Sequence, residues 1–118
     1  VRILVIDDNL QILAVTVDML RAMGYIAHSL PAPLKIGAIS KKLQSDNYGV
    51  VITDLEMEKD YDGGDVIHLS KKIGIPVILT SGNPSAIEIA KENDGVFLGK
   101  PATIQDLKNA IKEALGPK

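Results

Sequence analysis

Five residues near the middle of the chain, Val50-Val51-Ile52-Thr53-Asp54, constrain the fold more than any other stretch. Four β-branched side chains run directly into a carboxylate. Such side chains are stiff in helices and pack well on a pleated surface. A short apolar run without alternation predicts a strand buried on both faces, as in a parallel sheet covered by helices. Asp54 then stands at the carboxyl end of that strand, where open parallel sheets bind their ligands. Ile3-Leu4-Val5-Ile6 repeats the pattern and ends in Asp7-Asp8. Two buried strands therefore deliver three carboxylates to one edge.

The remaining sequence supplies the crossovers that parallel strands require. A first strand is expected at about Arg2 to Ile6. Leu10, Leu13, Val17 and Leu20 recur at helical spacing after it, and Gly24 supplies a stop. Tyr25 to Ser29 reads as a second strand, with Pro31 and Pro33 marking a loop and the start of a second helix. That helix carries Ile36, Ile39 and Leu43 on one face and is broken by Ser45-Asp46-Asn47. After the third strand, a polar loop from Glu56 to Gly64 leads to a helix with Val66, Ile67 and Ile73 inward and Gly74 at its end. Val77 to Thr80 is the fourth strand, and Gly82-Asn83-Pro84 opens a helix at about Ser85 to Asn93. Ile87 and Ile89 cannot both face the core on an ideal helix. Val96 to Gly99 is the fifth strand, followed by a Lys100-Pro101 turn. Thr103 and Asp106 form a capping-box pattern for a last helix with Ile104, Leu107 and Ile111 on its buried face. Alternating strands and helices with right-handed crossovers give a doubly wound α/β domain.

Bulk properties narrow the function. A length of 118 residues suits one domain over residues 1–118. The first residue is Val1, not Met, so the ends are read as cut points. A hydrophobic content of 46% supports a real core, and with only 3% aromatic residues that core must be aliphatic. The absence of cysteine excludes disulfides, thiol nucleophiles and thiolate metal sites, and fits a reducing compartment. A net charge of −2 gives no general reason to bind nucleic acid or an anionic membrane. No apolar run approaches the ~20 residues of a membrane helix, and no signal peptide is visible.

The carboxyl ends of the strands carry the chemistry: Asp7 and Asp8, Asp54, Ser81 and Lys100. Three acids held close repel one another. A hard dication such as Mg²⁺, or Mn²⁺, relieves that repulsion, since it takes oxygen ligands from carboxylates and phosphate. The ammonium and the hydroxyl complete a site for an oxyanion. Together these groups suggest phosphoryl transfer with Asp54 as the nucleophile, forming an acyl phosphate.

Four motifs, in order and on the right elements, carry a family resemblance: Ile6-Asp7-Asp8, Thr53-Asp54-Leu55, Pro76 through Gly82, and Gly99-Lys100-Pro101. The chain resembles the receiver domain of two-component response regulators over nearly its whole length. The run Leu79-Thr80-Ser81-Gly82 is similar to receivers of hybrid histidine kinases. The resemblance implies a flavodoxin-like fold of five strands in the order 2-1-3-4-5 with five helices, and a cytoplasmic location. It implies that Asp54 accepts a phosphoryl group from a sensor histidine kinase or a histidine phosphotransfer domain. Asp8, Asp54 and the backbone carbonyl of Glu56 would ligate the metal, with Asp7 acting mainly through a water. Lys100 and the backbone amides of Leu55 and Gly82 would hold the phosphoryl oxygens. Ser81, five residues after Pro76, matches the switch hydroxyl, and Phe97 the switch aromatic. The Lys100-Pro101 bond would be cis, and a phosphorylation-dependent dimer is compatible with the family. Two features depart from its pattern: Glu58 stands where proline is usual, and the loop to Asp62-Gly63 is one residue longer.

Plainer roles are open to the same residues. Asp7 and Asp8 can serve as a helix N-cap and its neighbour. Asp54 and Lys100 can form a metal-free ion pair, Ser81 can be a loop residue and Phe97 a core residue. His28 and His68 lack clustered partners and receive no role, and Lys41-Lys42 and Lys71-Lys72 read as solvated faces. An aspartate-nucleophile phosphatase would use a second Asp two residues on, where this chain has Glu56. The same fold also suits an interaction module that is never phosphorylated, or a flavin-binding flavodoxin relative. The scarcity of aromatics disfavours the flavin protein.

Overall fold

Strand and helix alternate through residues 1–116, the part of the chain that the computed structural model describes. The elements are β1 (Arg2–Asp7), α1 (Leu10–Ala22), β2 (Ile26–Pro31), α2 (Ile36–Ser45) and β3 (Val50–Asp54). They continue with α3 (Gly63–Ile73), β4 (Val77–Ser81), α4 (Ala86–Glu92), β5 (Val96–Gly99) and α5 (Ile104–Leu115). The five strands are parallel in the order β2-β1-β3-β4-β5, a flavodoxin-like doubly wound sheet.

Side-chain alternation along the central strands builds a core on each face. Leu4, Ile6, Val51 and Leu79 point to one side, where Ile39 and Leu43 of α2, Val66 and Ile67 of α3 and Ala86 and Ala90 of α4 cover them. Ile3, Val5, Ile52 and Ile78 point to the other, beneath Leu13, Val17 and Leu20 of α1 and Leu107 and Ile111 of α5. All five residues of β3 are buried, as the run of β-branched residues predicts. Each fully buried Val, Ile or Leu here stabilises the fold by roughly 1.5–3 kcal/mol.

Caps fix where the helices start. Asn9, not Asp7 or Asp8, caps α1: its side chain accepts from the amides of Gln11 and Ile12. Asp62 with Asp65 and Thr103 with Asp106 form reciprocal capping boxes on α3 and α5. Gly74 closes α3 in the left-handed region at φ +92°, where a Cβ would be strained.

Some sequence expectations are corrected. β2 runs on through Pro31, and α2 begins at Ile36 behind Lys35, which makes no side-chain cap. Ile73 and Ile104, assigned to buried faces, are 36% and 51% exposed, and Leu10, at helical spacing with the buried Leu13, Val17 and Leu20, is 64% exposed. All three lie at helix ends: Leu10 and Ile104 in the first turns of α1 and α5, and Ile73 in the last turn of α3. Helix α4 spans only Ala86–Glu92 and buries its alanines, leaving Ile87 and Ile89 half-buried. The Lys100-Pro101 bond is cis, as expected.

Candidate functional site

Sheet register gathers the singled-out residues at one edge. Asp7 ends β1, Asp54 ends β3 and Ser81 ends β4, while Lys100 follows the last residue of β5. β1 and β3 are neighbours, and the chain leaves them in opposite directions, so Asp7, Asp8 and Asp54 meet at the topological switch point. Asp7 is 3% and Asp54 6% exposed, while Asp8 is half-buried. Each offers one carboxylate oxygen, and the three lie within 4.8 Å of one another.

Lys100 is the counter-charge within the cluster. Its Nζ donates to Asp54 Oδ1 at 2.9 Å and to Asp7 Oδ2 at 3.3 Å. Asp7 Oδ1 accepts from the Asn9 amide at 2.9 Å, which ties the carboxylate to the start of α1. Asp8 pairs with no lysine or arginine among the described residues; its Oδ2 accepts from the Glu58 amide at 3.0 Å. Burial pushes the Asp54 carboxyl above its ordinary range; Lys100 pulls it down, Asp7 and Glu56 push it further up, and the net direction is upward. Burial pulls the Lys100 ammonium down, but its bonds and charge attraction to Asp54 and Asp7 outweigh that and raise it. Three carboxylates against one ammonium leave an excess of negative charge, and the donors are hard oxygens. That set fits a divalent cation such as Mg²⁺.

The hydroxyls and loops around this cluster are largely committed. Thr53 and Thr80, both buried, donate to the carbonyls of Asp54 and Thr53. Ser81 is 1% exposed and bonds to the Glu56 carboxylate. The backbone links Ser81 to the lysine: its carbonyl accepts from the Lys100 amide at 3.0 Å. Phe97 is half-buried on β5, packed against the core that α2, α3 and α4 cover. The Leu55 amide, expected to be open to a phosphoryl oxygen, donates instead to the Thr80 carbonyl at 2.9 Å and belongs to the sheet.

The longer loop after β3 holds what the sequence did not announce. Met57 and Tyr61 turn inward and are 8% and 7% exposed. The Tyr61 hydroxyl donates to the Pro33 carbonyl at 2.6 Å, strapping this loop to the one after β2. Glu58 acts through its amide on Asp8, a role that any residue but proline can fill. The apolar character of Met57 and Tyr61 in an otherwise polar loop was the available signal. His28, left without a role, bonds through Nδ1 to the Tyr48 hydroxyl at 2.7 Å, far along β2 from the acids.

Comparison with known proteins identifies a family and a fold. The sequence matches the response regulator receiver domain family over residues 3–112. A response regulator receiver domain protein from Clostridium thermocellum is 32% identical, with a TM-score of 0.80 over 97% of this chain and 93% of that one. The beryllofluoride-activated receiver domain dimer of NtrC4 is 27% identical, with a TM-score of 0.81 over 97% and 95%. The receiver domain of the hybrid histidine kinase CckA is 26% identical, with a TM-score of 0.75 over 98% and 99%. No curated protein matches the sequence. Among the described residues no helix is long and apolar enough to cross a membrane. An acidic cluster with one lysine at the switch point of a 2-1-3-4-5 sheet, and a family match over almost the whole chain, lead to one assignment: the chain belongs to the response regulator receiver domain family, the regulatory phosphoacceptor domains of two-component signalling.

Proposed function

We propose that this chain is a cytoplasmic phosphoacceptor switch in which Asp54 takes a phosphoryl group from a phosphohistidine of a sensor histidine kinase or a histidine phosphotransfer domain. The observation that carries the reading is the cluster itself: three carboxylate oxygens within 4.8 Å, two of them on buried strand ends and bonded to Lys100. In the transfer, an ionised Asp54 oxygen forms the new P–O bond. The P–N bond breaks, and the imidazole leaves with its electron pair. Asp8, Asp54 and the Glu56 carbonyl are the residues that would hold Mg²⁺, with Asp7 behind them. That carbonyl accepts no backbone hydrogen bond among the described residues, which leaves it available. When bound, the cation supplies positive charge that offsets the phosphoryl oxygens. Lys100 contributes the second positive charge, moving from Asp54 Oδ1 to a phosphoryl oxygen, and Ser81 and the Gly82 amide contribute neutral donors.

A groove of about 400 Å³ between α1 and α5 supports the approach of such a donor. It is lined by Ile12, Val15 and Met19 and reaches Asp7 and Lys100 at its inner end. An apolar helix bearing a phosphohistidine fits that shape. The new charge on Asp54 then biases a two-state equilibrium through Ser81 and Phe97, altering the α4–β5–α5 face. A dimer formed on phosphorylation is one outcome of that change; the activated NtrC4 receiver is a dimer.

The deciding experiment is an intact mass measurement after incubation with Mg²⁺ and a small acyl phosphate. Wild type is expected to gain one phosphoryl group, and Asp54→Asn or a chelated sample none. If hydrolysis hides the adduct, a stable beryllofluoride complex is expected in its place. Neither metal binding nor a beryllofluoride complex would leave a receiver fold that works only as an interaction module.

A further inference from the structure

The Ser81 hydroxyl is engaged on two sides. It donates toward the Glu56 carboxylate, 2.7 Å from Oε1 and 3.0 Å from Oε2. It accepts from the Asn83 amide at 2.9 Å. A serine hydroxyl has one proton, so while it is given to Glu56 it is withheld from any other acceptor. Glu56 lies two residues past Asp54 in the loop after β3, with its charge close enough to push on the Asp54 carboxyl. In the unmodified chain its carboxylate therefore occupies the donor that a phosphoryl group on Asp54 would need. Phosphorylation places about −1.5 to −2 charge at that spot, with three strong acceptor oxygens. It repels the Glu56 carboxylate and competes for the same proton.

We propose that Glu56 is a built-in competitor for the Ser81 hydroxyl: its carboxylate holds Ser81 in the unphosphorylated arrangement, and phosphorylation of Asp54 releases it. Glu56 is a positioning residue, since it acts through Ser81. The inference rests on the reading of Ser81 as the hydroxyl that contacts the phosphoryl group. Strength follows from position. A hydrogen bond to a charged acceptor is stronger than a neutral one, but Glu56 is an exposed residue and solvent weakens its hold. Releasing the latch is therefore expected to change the affinity for a phosphoryl mimic by about threefold to tenfold.

The test is a double-mutant cycle in the full chain. Wild type, Glu56→Ala, Ser81→Ala and the double variant are titrated with beryllofluoride at saturating Mg²⁺, and binding is read from backbone amide resonances. Glu56→Ala keeps the backbone carbonyl and removes only the competing carboxylate. It is expected to bind about threefold to tenfold more tightly than wild type. In the Ser81→Ala background the same change is expected to alter affinity by less than about twofold, because nothing remains to compete for. Equal gains in both backgrounds would mean plain charge repulsion and overturn the proposal, as would no gain at all. Without ligand, the Gly82 and Asn83 amides of Glu56→Ala are expected to shift toward their beryllofluoride-bound positions. Should that variant fold poorly, Glu56→Gln is isosteric and weakens the acceptor, with a smaller change in the same direction. Failure of the underlying phosphoacceptor reading looks different: wild type itself then binds no beryllofluoride, and Asp54→Asn changes nothing.

Discussion

Gly63 is pressed against Asp54: a Cβ at Gly63 would stand 2.5 Å from the Asp54 carbonyl oxygen, 2.6 Å from Leu79 Cδ1 and 2.8 Å from Leu55 Cα. The Gly63 amide also donates to the Leu55 carbonyl at 3.0 Å. The first residue of α3 is thus seated directly on the strand end that carries Asp54, the proposed phosphoacceptor. Two of the three atoms in the way belong to backbone, which cannot rotate aside. Gly63→Ala is expected to destabilise the domain by about 1–3 kcal/mol and to slow acyl-phosphate labelling of Asp54. Gly37 in α2 has open space around it, and Gly37→Ala is expected to stabilise by about 0.5 kcal/mol instead. Denaturant unfolding of the two variants measures the contrast.

The charge on Asp54 works against the fold when no metal is present. Its carboxyl is raised by burial, only partly opposed by Lys100. A carboxyl raised in the folded state ionises more readily unfolded, so its contribution to stability is whole below its ordinary value of 3.8 and is lost as pH rises through the folded value. Asp54→Asn is therefore expected to melt about 4 °C above wild type at neutral pH in chelator, or roughly 1 kcal/mol. The advantage is expected to vanish toward pH 4. Thermal unfolding across that range checks the sign.

Removing Lys100 has the opposite effect. Lys100→Met leaves two buried carboxylates without their ammonium, and is expected to cost about 2–3 kcal/mol in chelator. Millimolar Mg²⁺ is expected to return part of that loss by taking over as counter-charge, and to stabilise wild type less. Because burial lowers the ammonium and its carboxylate partners raise it by more, its stabilisation persists up to its ordinary value of 10.5 and is lost only as pH climbs through the folded one. Melting curves with and without Mg²⁺ decide the point.

Tyr61 sets the loop that meets Asp8. Its hydroxyl on the Pro33 carbonyl fixes the segment whose Glu58 amide steadies the Asp8 carboxylate. Tyr61→Phe keeps the buried ring but leaves that carbonyl without its donor, an expected loss of about 1 kcal/mol. Mg²⁺ affinity, measured by titration calorimetry, is expected to fall by a few-fold while the bulk core stays intact.

Why the sheet was legible and parts of the site were not follows from the range of the forces. β3 and the centre of β1 read directly because burial on both faces leaves no polar position in Val50 to Ile52 or Ile3 to Ile6. Asp7, Asp54 and Lys100 read as one site because strand ends in a parallel sheet share an edge. Ile73 and Ile104 misread because helical spacing gives a face but not how well a helix end is covered. The Leu55 amide, which the resemblance assigns to a phosphoryl oxygen, pairs with the Thr80 carbonyl in the sheet, a register that the resemblance alone does not give. The Glu56–Ser81 bond and the Tyr61 strap join loops through space, and no local pattern marks such a pair.

The bond from the Lys100 amide to the Ser81 carbonyl joins two residues that are distant along the chain and adjacent across the sheet. The segment between them, including all of α4, is bypassed by this shortcut. Substitutions at its exposed positions, such as Glu88, Lys91 and Glu92, leave the spacing of hydroxyl and ammonium untouched. The outward side of α4 is therefore free to diverge and to acquire its own binding preferences, while the chemistry beside it stays unchanged.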